Sequence, residues 1–252
     1  SAAPVVVDEA FVGAIFILYD LTKEKEVDRL KSEFIAMASH QLRAPLASMK
    51  WYGELLAKGK AGSLKKEQAE FVDRINISTR RTISLVDDFL NVSRVERGEL
   101  KMTPRKVPVR ELIRGIVQSL SPDIERNALR VRVRATAKHK TIMADPDMMR
   151  EILANLIGNA VKYTPKGGEV LVTIKDASGG LRLEVQDSGV GIPANEQKKL
   201  FGEFFRASNA SKLGFEGTGL GLYTAKRLTD RMGGTIGFES QEGKGSTFWV
   251  EI

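Results

Sequence analysis

The sequence predicts two domains of different class: a hairpin of two long helices that pairs with a second copy into a four-helix bundle, followed by a mixed α/β domain. Three observations lead there. Apolar residues recur at helical spacing between Val27 and Val92, the pattern changes beyond Met102 to short alternating runs between helical stretches, and asparagine- and glycine-bearing blocks sit at the ends of those runs.

The elements follow in chain order. Phe11 to Tyr19 is rich in β-formers and stops at Asp20-Leu21-Thr22, where a Lys- and Glu-rich stretch begins; it reads as the last strand of an upstream domain. Val27, Leu30, Phe34 and Met37 then form the seam of a helix that continues through His40 to Lys58. At about 100° per residue, His40 falls well away from that seam and is expected to face solvent. Pro45 removes a backbone donor and crowds the carbonyl of Gln41, which predicts a bend. Lys58 to Ser63, with Gly59 and Gly62, is the turn. Phe71, Ile75, Ser78, Thr82, Leu85, Phe89 and Val92 mark the second helix, which Gly98 stops. Two such helices bury little by themselves and no third follows, so a homodimeric bundle is the economical way to hide both stripes.

In the second domain, Val109 to Glu125 reads as a helix and Leu129 to Ala135 as a strand. Further strands are expected at Thr141 to Ala144, Glu169 to Asp176, Leu181 to Asp187, Thr235 to Ser240 and Ser246 to Ile252. Helices are expected at Asp147 to Tyr163 and Gly219 to Met232.

Composition narrows the function classes. The 252 residues are 42% hydrophobic and 28% charged, a globular balance. The absence of cysteine excludes disulfides and thiolate chemistry, and two histidines make a zinc site improbable; a reducing, cytoplasmic setting fits. The net charge of +7 is spread among 32 acidic residues with no dense basic block, which argues against nucleic acid. The longest apolar stretch, Ala10 to Tyr19, is about half the roughly 20 residues a membrane helix needs, so a membrane enters only through a segment upstream of this sequence.

Four blocks in the second domain carry chemistry. Asn155, Asn159 and Lys162 share one helical face, suited to a metal and phosphates. Asp187, ending a strand before Gly189 and Gly191, offers a carboxylate to an adenine amino group. Gly217-Thr218-Gly219-Leu220-Gly221 opens a helix, where unpaired backbone donors favour phosphate. Pro193 to Glu216 between them, with Phe201, Phe204, Phe205 and Arg206, has the composition of a lid. A fifth block is Ser39-His40-Gln41-Leu42-Arg43-Ala44-Pro45 on the first helix, an exposed imidazole remote from the nucleotide-like blocks. His139, flanked by lysines and in no motif, is ordinary surface.

In this order the blocks resemble the sensor histidine kinases of two-component systems, from about residue 22 to the C-terminus. The resemblance implies that residues 22–100 are a dimerisation and phosphotransfer hairpin and residues 101–252 a catalytic domain of the Bergerat-type α/β sandwich; residues 1–21 look like the tail of a PAS sensor domain. It implies that His40 accepts the γ-phosphoryl group of ATP, that Asn159 binds Mg²⁺ with Asn155 beside it, and that Lys162, Arg206 and the amides of Gly217, Gly219, Leu220 and Gly221 meet phosphates. Tyr163, Asp187, Gly189, Gly191 and Thr247 would surround adenine. The phosphoryl group would pass to an aspartate on the receiver domain of a response regulator.

Two positions depart from the family's commonest pattern, which has an acid after the histidine and Thr or Asn three positions later. Here these are Gln41 and Ala44. Glutamine can orient the imidazole but cannot accept its proton; at an unperturbed pKa near 6.5, about three quarters of a solvated imidazole is already neutral at pH 7. Autophosphorylation is therefore expected to persist. Ala44 cannot position water, so phosphatase activity is expected to be weak. A conformational ATPase, a serine kinase of the same ATP-binding superfamily and a nucleotide-binding scaffold remain as alternatives.

Overall fold

The computed structural model describes residues 2–7, 10–16, 22–96, 102–137, 141–177, 180–213, 215 and 217–252, with side chains in the helical pair described mainly from 41 to 90. Strands β1 (Ala2–Val7) and β2 (Ala10–Phe16) pair antiparallel with a register shift between Val5 and Val6. Only the second was expected from the sequence, and the expected extension to Tyr19 runs into undescribed residues.

Helix α1 (Thr22–Ala57) runs through Pro45, and α2 (Lys66–Glu96) returns alongside it after a turn in which Gly59 and Gly62 adopt positive φ, 68° and 103°. The face between the helices buries Leu46, Asn76, Thr79, Val86, Leu90 and Ser93. Asn76 Nδ2 donates to the Gly53 carbonyl at 3.1 Å, so a polar contact sits inside the seam. A second stripe is left uncovered in the single chain: Leu42, Met49 and Leu56, seven residues apart, with Phe71, Ile75 and Leu85 on α2.

The catalytic-side domain opens with β3 (Arg105–Pro108), which pairs antiparallel with β5 (Thr141–Ala144). The expected helix from Val109 to Glu125 is two: α3 (Val109–Ser119) and α4 (Ser121–Arg126). Pro122 lacks the donor needed to continue α3 and sits instead in the first turn of α4, where that donor would be unpaired anyway. Strand β4 (Arg130–Ala135) follows, and after β5 comes α5 (Pro146–Tyr163).

The remaining elements are β6 (Glu169–Ala177), β7 (Gly180–Asp187), α6 (Ser208–Lys212), α7 (Gly221–Arg231), β8 (Thr235–Gln241) and β9 (Gly245–Glu251). The five-stranded sheet has the order β4-β6-β7-β9-β8, parallel at β4-β6 and antiparallel elsewhere. One face carries Val170, Val172, Leu181, Leu183, Val185, Phe248 and Val250 into a single core with α3, α5 and α7. Among the described helices none is long and apolar enough to cross a membrane.

Candidate active site

Helix α5 supplies the floor of the site. Met148, Met149, Ile152, Leu153, Leu156, Ile157, Ala160 and Val161 are buried in the core, which leaves Asn155, Asn159 and Lys162 along the opposite stripe. The helix is anchored at its start by Asp145, whose Oδ1 accepts from the backbones of Asp147 and Met148 and whose Oδ2 accepts from the backbone and hydroxyl of Thr103. Burial opposes the charged form of Asp145, but these four donors outweigh it and hold the carboxyl below its ordinary value.

Asp187 is buried because of strand period. It is the fourth inward position of β7 after Leu181, Leu183 and Val185, and it lies opposite Ser246 of β9. Gly189 N and Ser246 N donate to its Oδ1 at 2.8 and 3.2 Å, while Oδ2 accepts no hydrogen bond from a described residue. Burial pushes the carboxyl up to about 6 against the pull of those two donors. A Cβ on Gly189 would stand 2.6 Å from Asp187 Oδ1 and from the Tyr163 carbonyl, so only glycine allows this approach.

The Gly217 to Gly221 segment closes the other side. Gly219 is held at φ 75°, Leu220 N donates to Thr218 Oγ1 at 3.1 Å, and α7 starts with no side-chain cap on its N-cap residue. Its first amides and positive dipole end are therefore left to an anion. A Cβ on Gly217 would come within 2.5 Å of Lys162 Nζ, and one on Gly221 within 2.5 Å of Asn155 Oδ1. In the lid, Arg206 donates through Nη2 to the Phe215 carbonyl while its buried Nε finds no partner among the described residues. Tyr163 packs edge-on to Phe215 at 5.4 Å, and Lys162 Nζ lies 4.8 Å from the Tyr163 ring.

These groups enclose a cavity of about 290 Å³. An apolar wall from Ile192, Leu200, Phe205 and Phe248, one buried carboxylate and a rim of amides and cations suit an adenine at one end and phosphates at the other. Among the described residues no cluster of three or more His, Asp or Glu is built to hold a metal, so a cation here needs phosphate oxygens beside the Asn159 amide.

Comparison with known proteins agrees. Residues 30–98 match the His Kinase A (phospho-acceptor) domain, and residues 144–252 match the histidine kinase-, DNA gyrase B-, and HSP90-like ATPase family. The chain belongs to the sensor histidine kinases. It is 34% identical over 90% of its length to the sensory/regulatory protein RpfC of Xanthomonas campestris, and 32% identical over 93% to the sensor histidine kinase WalK of Bacillus subtilis. It spans 32% and 38% of those relatives' lengths. Full-length ShkA, solved in complex with AMPPNP, superposes with a TM-score of 0.72 at 30% identity, over 87% of this chain and 45% of that one.

Of the residues singled out in the kinase sequence, Asn155, Asn159, Lys162, Tyr163, Asp187, Gly191, Arg206, Gly217, Gly219 and Gly221 line the cavity together. Gly189 shapes it through Asp187, and Leu220 is buried as the N-cap of α7. Thr247 is a correction. Strand alternation puts Ser246 and Phe248 into the cavity and turns Thr247, between them, to the other face of the sheet. His40 occupies a helical position in α1, and its side chain lies outside the described residues, as does His139. Gln41 and Ala44 are exposed on the same helix.

The sequence reading missed Ser84 and Asp88. Both belong to α2, one turn apart, and both line the cavity. Nothing local marks them; their role comes from α2 packing on the catalytic domain beside α7, with Phe89 5.4 Å from Phe204.

Proposed function

We propose that this chain is the autokinase core of a two-component sensor, with residues 22–100 as the dimerisation and phosphotransfer unit and residues 101–252 as the ATP-binding unit. The observation that carries the reading is a glycine-lined cavity, at an uncapped helix start, opening against the hairpin that bears His40.

One ring nitrogen of His40 attacks the γ-phosphorus of ATP; the N–P bond forms as the P–O bond to the β-phosphate breaks, and ADP leaves. The proton on the ring passes to water, because Gln41 can orient the imidazole but not accept it. Lys162, Arg206 and the amides at Gly217 to Gly221 neutralise and position the phosphates. The Asn159 amide oxygen would hold Mg²⁺ beside the phosphates, where the ion would supply further charge compensation. Asp187 would accept the adenine amino group, with Tyr163 against the ring.

The phosphoryl group then goes to an aspartate on a response-regulator receiver domain, and Ala44, unable to position a water, leaves hydrolysis of that phosphoaspartate weak. A homodimer is supported by the exposed heptad stripe of Leu42, Met49 and Leu56 with Phe71, Ile75 and Leu85. A cytoplasmic setting fits the supply of ATP.

Incubation with Mg²⁺ and γ-³²P-ATP tests the reading. Label stable to alkali, lost in acid, and absent from His40→Gln and Asn159→Asp variants is expected. Steady ATP hydrolysis with no label on the protein would overturn it in favour of a conformational ATPase.

A further inference from the structure

The α2 carboxylate of Asp88 reaches the groups that a nucleotide phosphate would need. It accepts the hydroxyl of Thr218, lies within electrostatic reach of Lys162, and lines the cavity with Ser84 one turn earlier. Thr218 is the glycine-segment residue whose oxygen also takes the Leu220 amide at the start of α7, so the carboxylate and that helix end share one hydroxyl. Burial pushes the Asp88 carboxyl up, and the Thr218 hydroxyl and Lys162 pull against it while neighbouring Asp87 adds to the rise. This is a charge placed where solvation is poor, and it is tolerated there because phosphate-binding groups surround it.

The next residue adds an apolar clasp. Phe89 meets Phe204, whose backbone is held at φ 56°, a left-handed conformation that an aromatic residue adopts only under constraint. Gly219 packs directly on the Phe204 backbone, where a Cβ would stand 2.6 Å from its carbonyl carbon. The lid and the glycine segment are thus locked to each other and to α2 through two adjacent residues.

We propose that Asp88 is a phosphate mimic that latches the hairpin onto the nucleotide cavity, so that ATP and the α2 carboxylate compete for Thr218 and Lys162. The inference rests on the nucleotide reading of the cavity. Nucleotide entry then releases α2, freeing the catalytic domain to leave this docked position.

The test measures affinity of the full chain for ADP carrying a methylanthraniloyl fluorophore on its ribose, by fluorescence, together with amide hydrogen exchange across residues 84–90. Asp88→Asn should bind about three- to tenfold tighter, the factor expected if only about a third to a tenth of wild-type molecules are open at once. Exchange at 84–90 should rise in wild type on nucleotide addition and be already raised in Asp88→Asn. Phe89→Ala should shift both readouts the same way, and Asp87→Asn, at a carboxylate that pairs with Arg43 of α1 and repels that of Asp88, should not tighten binding. Equal or weaker binding by Asp88→Asn overturns the latch while leaving the nucleotide reading intact; no binding by either protein overturns the nucleotide reading itself.

Discussion

Arg43 Nη2 donates to Asp87 Oδ1 at 2.6 Å, tying the turn that follows His40 to the residue immediately before Asp88. Asp87 thus looks into the hairpin and Asp88 into the cavity, so one dipeptide of α2 touches both halves of the chemistry. The ion pair is about half exposed on each side, which limits its worth to about 0–1 kcal/mol. Arg43→Ala should lower the chemical-denaturation stability of the hairpin by no more than this, with the loss disappearing in molar salt. A larger, salt-insensitive loss would mean that Arg43 contributes through packing of its stem.

The seam between the helices has a tight polar contact. A Cβ on Gly53 would stand 1.9 Å from Asn76 Oδ1, a buried atom that accepts no hydrogen bond from a described residue. Gly53→Ala should therefore destabilise by about 1–3 kcal/mol through overpacking. Adding Asn76→Ala should recover part of that loss in thermal unfolding, and strict additivity of the two changes would show that the residues do not meet.

Asp145 and Asp187 respond to acid in opposite directions. The folded-state carboxyl of Asp145 is depressed, so its contribution to stability is complete above about pH 4 and is lost as the pH falls through its lowered value. Asp145→Ala should cost about 2 kcal/mol or more at pH 7, from the lost helix cap and the lost tie to Thr103, and less at pH 2–3. Denaturation curves at the two pH values measure it.

For Asp187 the folded value is raised to about 6, so the stability it contributes is present at low pH and is lost as the pH rises from about 4 to 6. Nucleotide recognition has the reverse need, because Oδ1 already takes two backbone donors and Oδ2 can accept an adenine amino group only while it carries no proton. Affinity for a fluorescent ADP analogue should be flat above about pH 6 and fall by up to about tenfold per unit below it. Asp187→Asn should bind weakly at every pH and lose that dependence; a wild-type profile unchanged down to pH 5 would remove Asp187 from adenine recognition.

Gly219→Ala combines an unfavourable backbone angle with a collision against the Phe204 backbone, which has no flexible end to move aside. A stability loss above about 1 kcal/mol is expected together with weaker nucleotide binding. Gly217→Ala meets the mobile end of Lys162, so its effect should fall on affinity, about tenfold, with little on thermal stability.

The elements with long, regular patterns were legible. Helices α1 and α2, the α5 face of Asn155, Asn159 and Lys162, and the alternating strands β6, β7 and β9 were expected close to where they lie, because each is fixed by neighbours within a few residues. The apolar stripe expected as the helical seam is instead exposed at Leu30, Met37, Phe71, Ile75 and Leu85, and the two helices meet through Leu46, Asn76, Thr79, Val86 and Leu90. The misses share a dependence on distant partners. β3 is four residues long and exists by pairing with β5, more than thirty positions later. The start of α4 needed Pro122 to be weighed against an otherwise continuous helical pattern. Thr247 was placed by resemblance, whereas the pleat of β9 gives the inward position to Ser246. Asp88 entered the cavity only through docking of one domain on the other, which no local spacing encodes.

The clip between Thr103 and Asp145 has a mechanical meaning. Residue 103, at the entry to the second domain, is fastened to the head of the same stiff rod whose far half bears Asn155, Asn159, Lys162 and Tyr163. At a rise of about 1.5 Å per residue, that clip lies about 15 Å from Asn155 and about 21 Å from Asn159 along one unbroken helix, so the entry of the chain into the second domain and the floor of the cavity share a single rigid lever.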